Sequence, residues 1–248
     1  MKQLIEVQLE HAHRHINHNV GWICLATDPV SEADARRYLP MNRYNLFVNR
    51  IPFPSEVTND NLKQMDGRIS DTASLILPDE NLDVLNYGCT SCVTNLGFER
   101  VCELLTNNRN DSPVMPNPAT SGHLALEALK VSSIGLVTPY IEEVAMSVAD
   151  HFEDEGIDVP NVVWMDCIKD YEIARVRRQD IINAAVKVSE GVDAVFLSCA
   201  AFRGVDCIEE IEEITGKPVV TSNQAMIWHT MRACNDNSTD GPGMLFNH

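Results

Sequence analysis

The sequence predicts an α/β fold of two similar Rossmann-like lobes with parallel sheets, and an active site in the cleft between them. Three observations carry this. Strand-like apolar runs alternate with helical patterns along the chain, the signature of parallel sheets covered by helices on both faces. Two units share one plan, an apolar run, a cysteine turn and a helix. Residues 82–85 lead into Asn86-Tyr87-Gly88-Cys89-Thr90-Ser91-Cys92, and residues 192–198 lead into Cys199-Ala200-Ala201-Phe202-Arg203. The two cysteines stand 110 positions apart in a chain of 248, and the alternation restarts near residue 133. The expected division is a polar N-terminal segment over 1–19, a first lobe over 20–125, a second over 126–234 and a C-terminal tail over 235–248.

Each element follows from local pattern. Residues 1–19 are polar and carry His11, His13, His15 and His18, whose spacing is weakly competent for metal on a helical face but lacks a completing carboxylate or thiol. Residues 20–26 read as the first strand, ended by Thr27-Asp28-Pro29. Ser31 caps a helix with an acidic first turn, Glu32 and Asp34. Residues 46–51 form a strand stopped by Pro52-Phe53-Pro54. Leu62, Met65, Ile69, Ala73 and Ile76 give residues 60–78 an amphipathic helical face. After the first cysteine turn, Val93, Leu96, Phe98, Val101, Leu104 and Leu105 have helical spacing. Residues 107–118 are a Pro- and Asn-rich loop before a helix over 123–129. The second half then reads as a strand over 133–137, helix 141–155, strand 159–166 and a charged helix from Tyr171. Helix 181–190, strand 194–198, helix 205–214, strand 218–220 and a last helix over 225–232 follow. The last helix is positioned to cross back to the first lobe. The tail is rich in Asn, Asp, Gly and Pro and reads as flexible.

Bulk properties exclude some functions. Nineteen basic residues against 36 acidic ones give a net charge of −17, which disfavours nucleic acid and anionic membrane surfaces as partners. A small carboxylate must therefore be captured by local donors rather than by long-range attraction. The N-terminus shows no secretory pattern and no run is long and apolar enough for a membrane span. Eight cysteines without a secretion signal read as thiols of a cytoplasmic protein.

The chemistry concentrates at the strand ends. A cysteine at a helix N-terminus has its thiolate favoured, and the free backbone N–H groups there hold a carboxylate. Two opposed cysteines can act on one carbon skeleton from two faces, one as thiolate and one as acid, with no metal or organic cofactor. Cys89 and Cys199 are the candidates, whereas Cys24, Cys102, Cys167, Cys207 and Cys234 read as small buried hydrophobes. Cys89 and Cys92 also form a C-x-x-C, without a second such pair and without thioredoxin-like flanks. Tyr140 follows a strand end and can donate its hydroxyl to a substrate oxygen. Arg203 could pair with a carboxylate or with the acidic run 209–213, and Asn223 sits in what reads mainly as a helix cap.

Gly88-Cys89-Thr90-Ser91, Val137-Thr138-Pro139-Tyr140, Ser198-Cys199 and the block from Gly216-Lys217-Pro218 through Ser222-Asn223-Gln224 to Trp228-His229 resemble the aspartate/glutamate racemase superfamily. They look most like its maleate cis–trans isomerase and arylmalonate decarboxylase branch. The resemblance implies a cofactor-independent two-cysteine isomerase of a small carboxylate, as a homo-oligomer. Cys89 would add to the alkene carbon of maleate and Cys199 would protonate the neighbouring carbon. Thr90, Ser91 and Tyr140 match positions that hold a carboxylate, and Thr27, Asp28 and Ala200 fall in the substrate-binding loops. The decarboxylases have glycine at the first cysteine position, so Cys89 points away from them. Asp28 stands where the maleate isomerases carry asparagine, and Asp170 or Tyr171 replaces a second asparagine. The Ala26-Thr27-Asp28 loop is similar to members found with ectoine-utilisation enzymes, which implies amino-acid derivatives as substrates. Racemisation of such a derivative is the alternative, followed by decarboxylation or lysis on the same scaffold and by a non-catalytic carboxylate-binding protein.

Overall fold

The computed structural model describes residues 6–8 and 17–248. His11, His13 and His15 lie outside the described residues. His18 opens the first strand, its ring 5.6 Å from that of Tyr44.

Two all-parallel sheets organise the chain. The first has the order β2-β1-β3, with β1 (His18–Leu25) between β2 (Tyr44–Ile51) and β3 (Val84–Gly88). Trp22 is the register midpoint, opposite Val48 on one side and Asn86 on the other. The second has the order β5-β4-β6-β7, with β4 (Ser133–Thr138), β5 (Asp158–Trp164), β6 (Ala194–Leu197) and β7 (Val219–Thr221). Strands β1, β3, β4 and β6 are buried almost throughout, as largely apolar strands covered on both faces must be.

Around the first sheet lie α1 (Ser31–Tyr38), α2 (Asn59–Lys63), α3 (Asp66–Ser74), α4 (Thr90–Leu96), α5 (Phe98–Thr106) and α6 (Pro118–Ala128). The second carries α7 (Glu142–Asp154), α8 (Asp170–Ile173), α9 (Arg178–Val188), α10 (Ile208–Thr215) and α11 (Ser222–Ala233). Some helices are shorter than their apolar spacing predicts. The face over 60–78 is divided between α2 and α3, and the helix after Cys92 is divided by Gly97, whose φ of 89° a side chain would strain. The helix expected from Tyr171 is a single turn, α8, and Arg177 caps the separate α9. Close packing of α9 on β4 depends on Gly135, where a Cβ would stand 2.2 Å from the Val188 carbonyl oxygen.

Helix α11 follows the second sheet in sequence and packs on α6, α1 and β3. Its Thr230 hydroxyl donates to Asn86 Oδ1 at 3.0 Å, and Asn223 Nδ2 donates to Asp34 at 2.8 Å. Residues 235–248 are not the flexible tail that their composition suggests. Leu245 and Phe246 are buried, Gln224 Nε2 donates to the Pro242 carbonyl at 2.8 Å and Trp228 Nε1 to that of His248 at 3.3 Å. Two apolar residues outweigh the polar ones around them because burial of a Phe–Leu pair stabilises by several kcal/mol, about 1.5–3 for each side chain.

Among the described residues, no helix is long and apolar enough to cross a membrane, and no group of three His, Cys, Asp or Glu is placed to hold a metal ion.

Candidate active site

The carboxyl ends of strands from both sheets meet around one cavity, the place where open parallel sheets bind ligands. The cavity is small, about 270 Å³ of empty space with its open mouth included. Leu25 and Asp28 reach it from the end of β1, Cys89, Thr90 and Ser91 from the end of β3, Tyr140 from beyond β4, and Cys199 and Ala200 from the end of β6. Asp170, at the start of α8, completes the wall beyond β5. The two cysteines therefore face one enclosed space.

The cavity is closed by backbone pairing across the lobes. Val57 lines it, from the loop after β2. The Val57 N–H donates to the Ile168 carbonyl at 2.7 Å, the Asp170 N–H to that of Ser55 at 3.2 Å, and Glu56 bridges antiparallel to Lys169.

Cys89 is the N-cap residue of α4, extended at φ −144°, so its sulfur stands over the helix's first turn. Its Sγ lies 3.8 Å from Ser91 Oγ. Contact with the Cys92 sulfur and then burial push the Cys89 thiol well up. The Cys92 backbone N–H and the Ser91 hydroxyl pull it down. Behind it, the Tyr87 hydroxyl donates to Cys92 Sγ at 3.2 Å. Cys199 has φ +110°, a region that side chains rarely enter and that costs on the order of 1–3 kcal/mol. Burial, and next the nearby Asp170 carboxylate, push its thiol upward, against the Tyr140 hydroxyl and the Ala201 N–H. Both thiols are thus raised, whereas a helix N-terminus alone predicts a lowered one. The helix end is worth roughly 0.3–2 kcal/mol, and desolvation moves a buried group by several pKa units.

One hydroxyl ties the two turns together. Ser222 Oγ, at the first turn of α11, accepts the Cys199 N–H at 3.0 Å and pairs with Thr90 Oγ1 at 2.9 Å. The cap of α11 is Thr221, whose hydroxyl accepts the Gln224 N–H at 3.1 Å, so Ser222 is left for the two cysteine turns. Asn223 does not reach the cavity wall. Its Nδ2 holds the Ala200 carbonyl at 2.9 Å and Asp34. Arg203 is also absent from the wall: it is exposed, with Nη2 3.4 Å from the Val176 carbonyl.

Asp28 lines the cavity but is engaged locally. Its Oδ1 accepts from the Val30 and Ser31 N–H groups at 2.7 and 3.1 Å, and its Oδ2 from the Ser31 hydroxyl at 2.5 Å. Burial raises its carboxyl all the same. Thr27 is not a wall residue, and its hydroxyl donates to Asp170 Oδ2. Asp170 is only 2% exposed, and burial pushes its carboxyl up to about 6, with Asp28 adding to the rise and Thr27 opposing it. The wall holds no lysine, arginine or histidine among the described residues.

A two-lobed α/β protein with two cysteines facing one closed cavity defines a class of thiol-based enzymes acting on small acids. The chain belongs to the arylmalonate decarboxylase family, whose model matches residues 89–246. It is 26% identical over 217 residues to the maleate isomerase of Pseudomonas putida, covering 84% of this chain and 86% of that one. Its fold superposes on a crystal structure of a cysteine-to-alanine variant of the maleate isomerase from P. putida S16 with maleate. The TM-score is 0.84 at 22% identity, over 92% of this chain and 97% of that one. A Nocardia farcinica maleate cis–trans isomerase mutant with a covalently bound succinylcysteine intermediate matches at TM-score 0.84 and 19% identity, over 92% and 98% of the two chains.

Proposed function

We propose that the protein is a cysteine-dependent cis–trans isomerase of a small unsaturated carboxylate, with maleate as the reference substrate. The observation that carries this is the placement of Cys89 and Cys199 on the wall of one small cavity. The similarity to maleate isomerases, one of them seen with a succinylcysteine intermediate, supports the same chemistry.

The surroundings favour one division of roles. Cys89 and Cys199 each have an N–H donor and a hydroxyl at the sulfur, and what separates them is a neighbouring carboxylate. Cys199 faces the Asp170 carboxylate, which favours the protonated thiol. The Cys89 thiolate adds to one alkene carbon, forming a C–S bond, and the π electrons move toward the adjacent carboxylate. Thr90, Ser91 and the Tyr140 hydroxyl hold that carboxylate and stabilise its enediolate charge. Cys199 gives its proton to the second carbon, and the C–C bond, now single, rotates. Cys199 then takes a proton back, the C–S bond breaks and the trans alkene leaves. No proton or electron is gained or lost over the cycle.

The test is turnover of maleate to fumarate, followed by NMR, in the wild type and in Cys89→Ala and Cys199→Ala, with circular dichroism as a check on folding. Each variant should lose at least about a hundredfold in rate. A folded variant that keeps most of the wild-type rate would overturn the two-thiol mechanism.

A further inference from the structure

Within the cavity just described, Asp170 is the one carboxylate with an oxygen to spare. It is 2% exposed, and its Oδ2 is occupied by the Thr27 hydroxyl. Its Oδ1 takes no hydrogen bond from any described residue, and Asp170 lines the cavity near Cys199. Asp28 stands in the same wall with both oxygens engaged by the first turn of α1. The closest guanidinium to Asp28 is not available to a ligand. Arg50 is spent on the Asp28 carbonyl at 2.7 Å and on Glu32 at 2.9 Å. The wall is therefore asymmetric. Thr90, Ser91 and Tyr140 bring hydroxyls to the wall, and Asp170 brings an acceptor carrying charge. A dianion would place its second carboxylate against that acceptor, with no cation between them.

We propose that Asp170 is the specificity-determining residue, and that it binds a hydrogen-bond-donating nitrogen, an amide or an ammonium group, at the end of the substrate opposite the carboxylate held by Thr90 and Ser91. The preferred substrate then carries a single carboxylate, with a neutral or cationic nitrogen at the other end, and is not a dianion. This rests on the isomerase reading for its chemistry, and names the class of acid on which that chemistry acts. Thr27 is a positioning residue in this scheme, since its hydroxyl fixes Oδ2 and so turns Oδ1 to the ligand.

The experiment separates binding from turnover. At pH 8, where Asp170 is ionised, calorimetric titration compares three saturated acids: succinate, succinamate and γ-aminobutyrate. The wild type should bind succinamate or γ-aminobutyrate at least about tenfold tighter than succinate, and which of the two is tighter tells amide from ammonium. Asp170→Asn keeps the shape and the Thr27 contact but presents an N–H. It should bring succinate level with the nitrogen-bearing acids or ahead of them. Wild-type protein that binds succinate as tightly as the other two overturns the proposal. So does an Asp170→Asn protein with an unchanged ratio, or a failure of all three acids to bind. In parallel, maleate and maleamate are assayed for cis–trans turnover in the wild type and in Cys89→Ala. Nitrogen preference in binding without turnover of either alkene rejects the isomerase reading alone. Turnover that favours maleate over maleamate at pH 8 rejects the specificity assignment alone.

Discussion

Replacing Ser222 with alanine removes one oxygen and should damage both cysteine turns. The Ser222 hydroxyl accepts the buried Cys199 N–H at 3.0 Å and pairs with the Thr90 hydroxyl at 2.9 Å. An orphaned buried N–H costs about 1–3 kcal/mol, and the lost hydroxyl pair about 1 more. The expected destabilisation is about 2–4 kcal/mol. A chain of this size loses roughly 2–4 °C in Tm per kcal/mol, so the melting point should fall by about 5–15 °C. The effect on rate should be larger than the effect on stability. Cys199 is held at φ +110°, and without its tether the backbone can relax from that conformation and carry the sulfur with it. A displacement of about 1 Å at a reacting atom costs on the order of a hundredfold. Thermal denaturation and steady-state turnover of Ser222→Ala measure both, and Ser222→Thr, which retains the hydroxyl, should recover most of each. A Ser222→Ala protein melting within about 1 °C of the wild type at an unchanged rate would refute the role given to this hydroxyl.

Three other expectations follow from the same geometry. Asp170 titrates at about 6 when folded against 3.8 as a free side chain, so the folded state binds its proton more tightly. Its stabilising contribution is complete below the unfolded value and is lost as pH rises through the folded one, about 3 kcal/mol in all. Urea denaturation at pH 4.5 and 7.5 should therefore show a flatter pH dependence for Asp170→Asn, and a slope equal to the wild type's would contradict this. Tyr140→Phe removes a hydroxyl that stabilises negative charge at Cys199 and meets Ser91, so turnover should fall about tenfold or more, with the alkaline limb of the pH–rate profile moved upward. Phe246→Ala should cost about 3–5 kcal/mol by denaturant titration, because the ring is 1% exposed; a change below about 1 kcal/mol would mean that the C-terminal residues are not docked in solution.

The sequence was most legible where burial and period agree. The largely apolar runs before Cys89 and Cys199 read as covered strands, and a cysteine close after each of them was carried to the same end of its sheet. Thr90, Ser91, Tyr140 and Ala200 were readable for the same reason, each lying within two residues of a strand end or cysteine turn. What could not be read depended on contacts remote in sequence. Ser222 meets Thr90 across 132 positions, and Thr27 meets Asp170 across 143. Nothing local distinguishes a helix-capping serine from one that braces two cysteine turns. Asp28 has two places at once: its position after β1 brings it to the cavity wall, and the Asp28-x-x-Ser31 spacing lets its carboxylate accept the Val30 and Ser31 N–H groups at the start of α1. The thiols were misjudged because a helix N-terminus can be seen in sequence and the depth of burial cannot.

The seam between Ser55–Val57 and Ile168–Asp170 has a consequence for how the protein tolerates change. Its fastening consists of main-chain amides, so the side chains of Glu56 and Lys169 are free to drift without loosening it. Two such bonds amount to a net of only about 1–3 kcal/mol. Deuterium uptake at the Val57 and Asp170 amides would clock the opening of the seam, and a proline at either position, lacking the hydrogen to donate, would leave the door ajar.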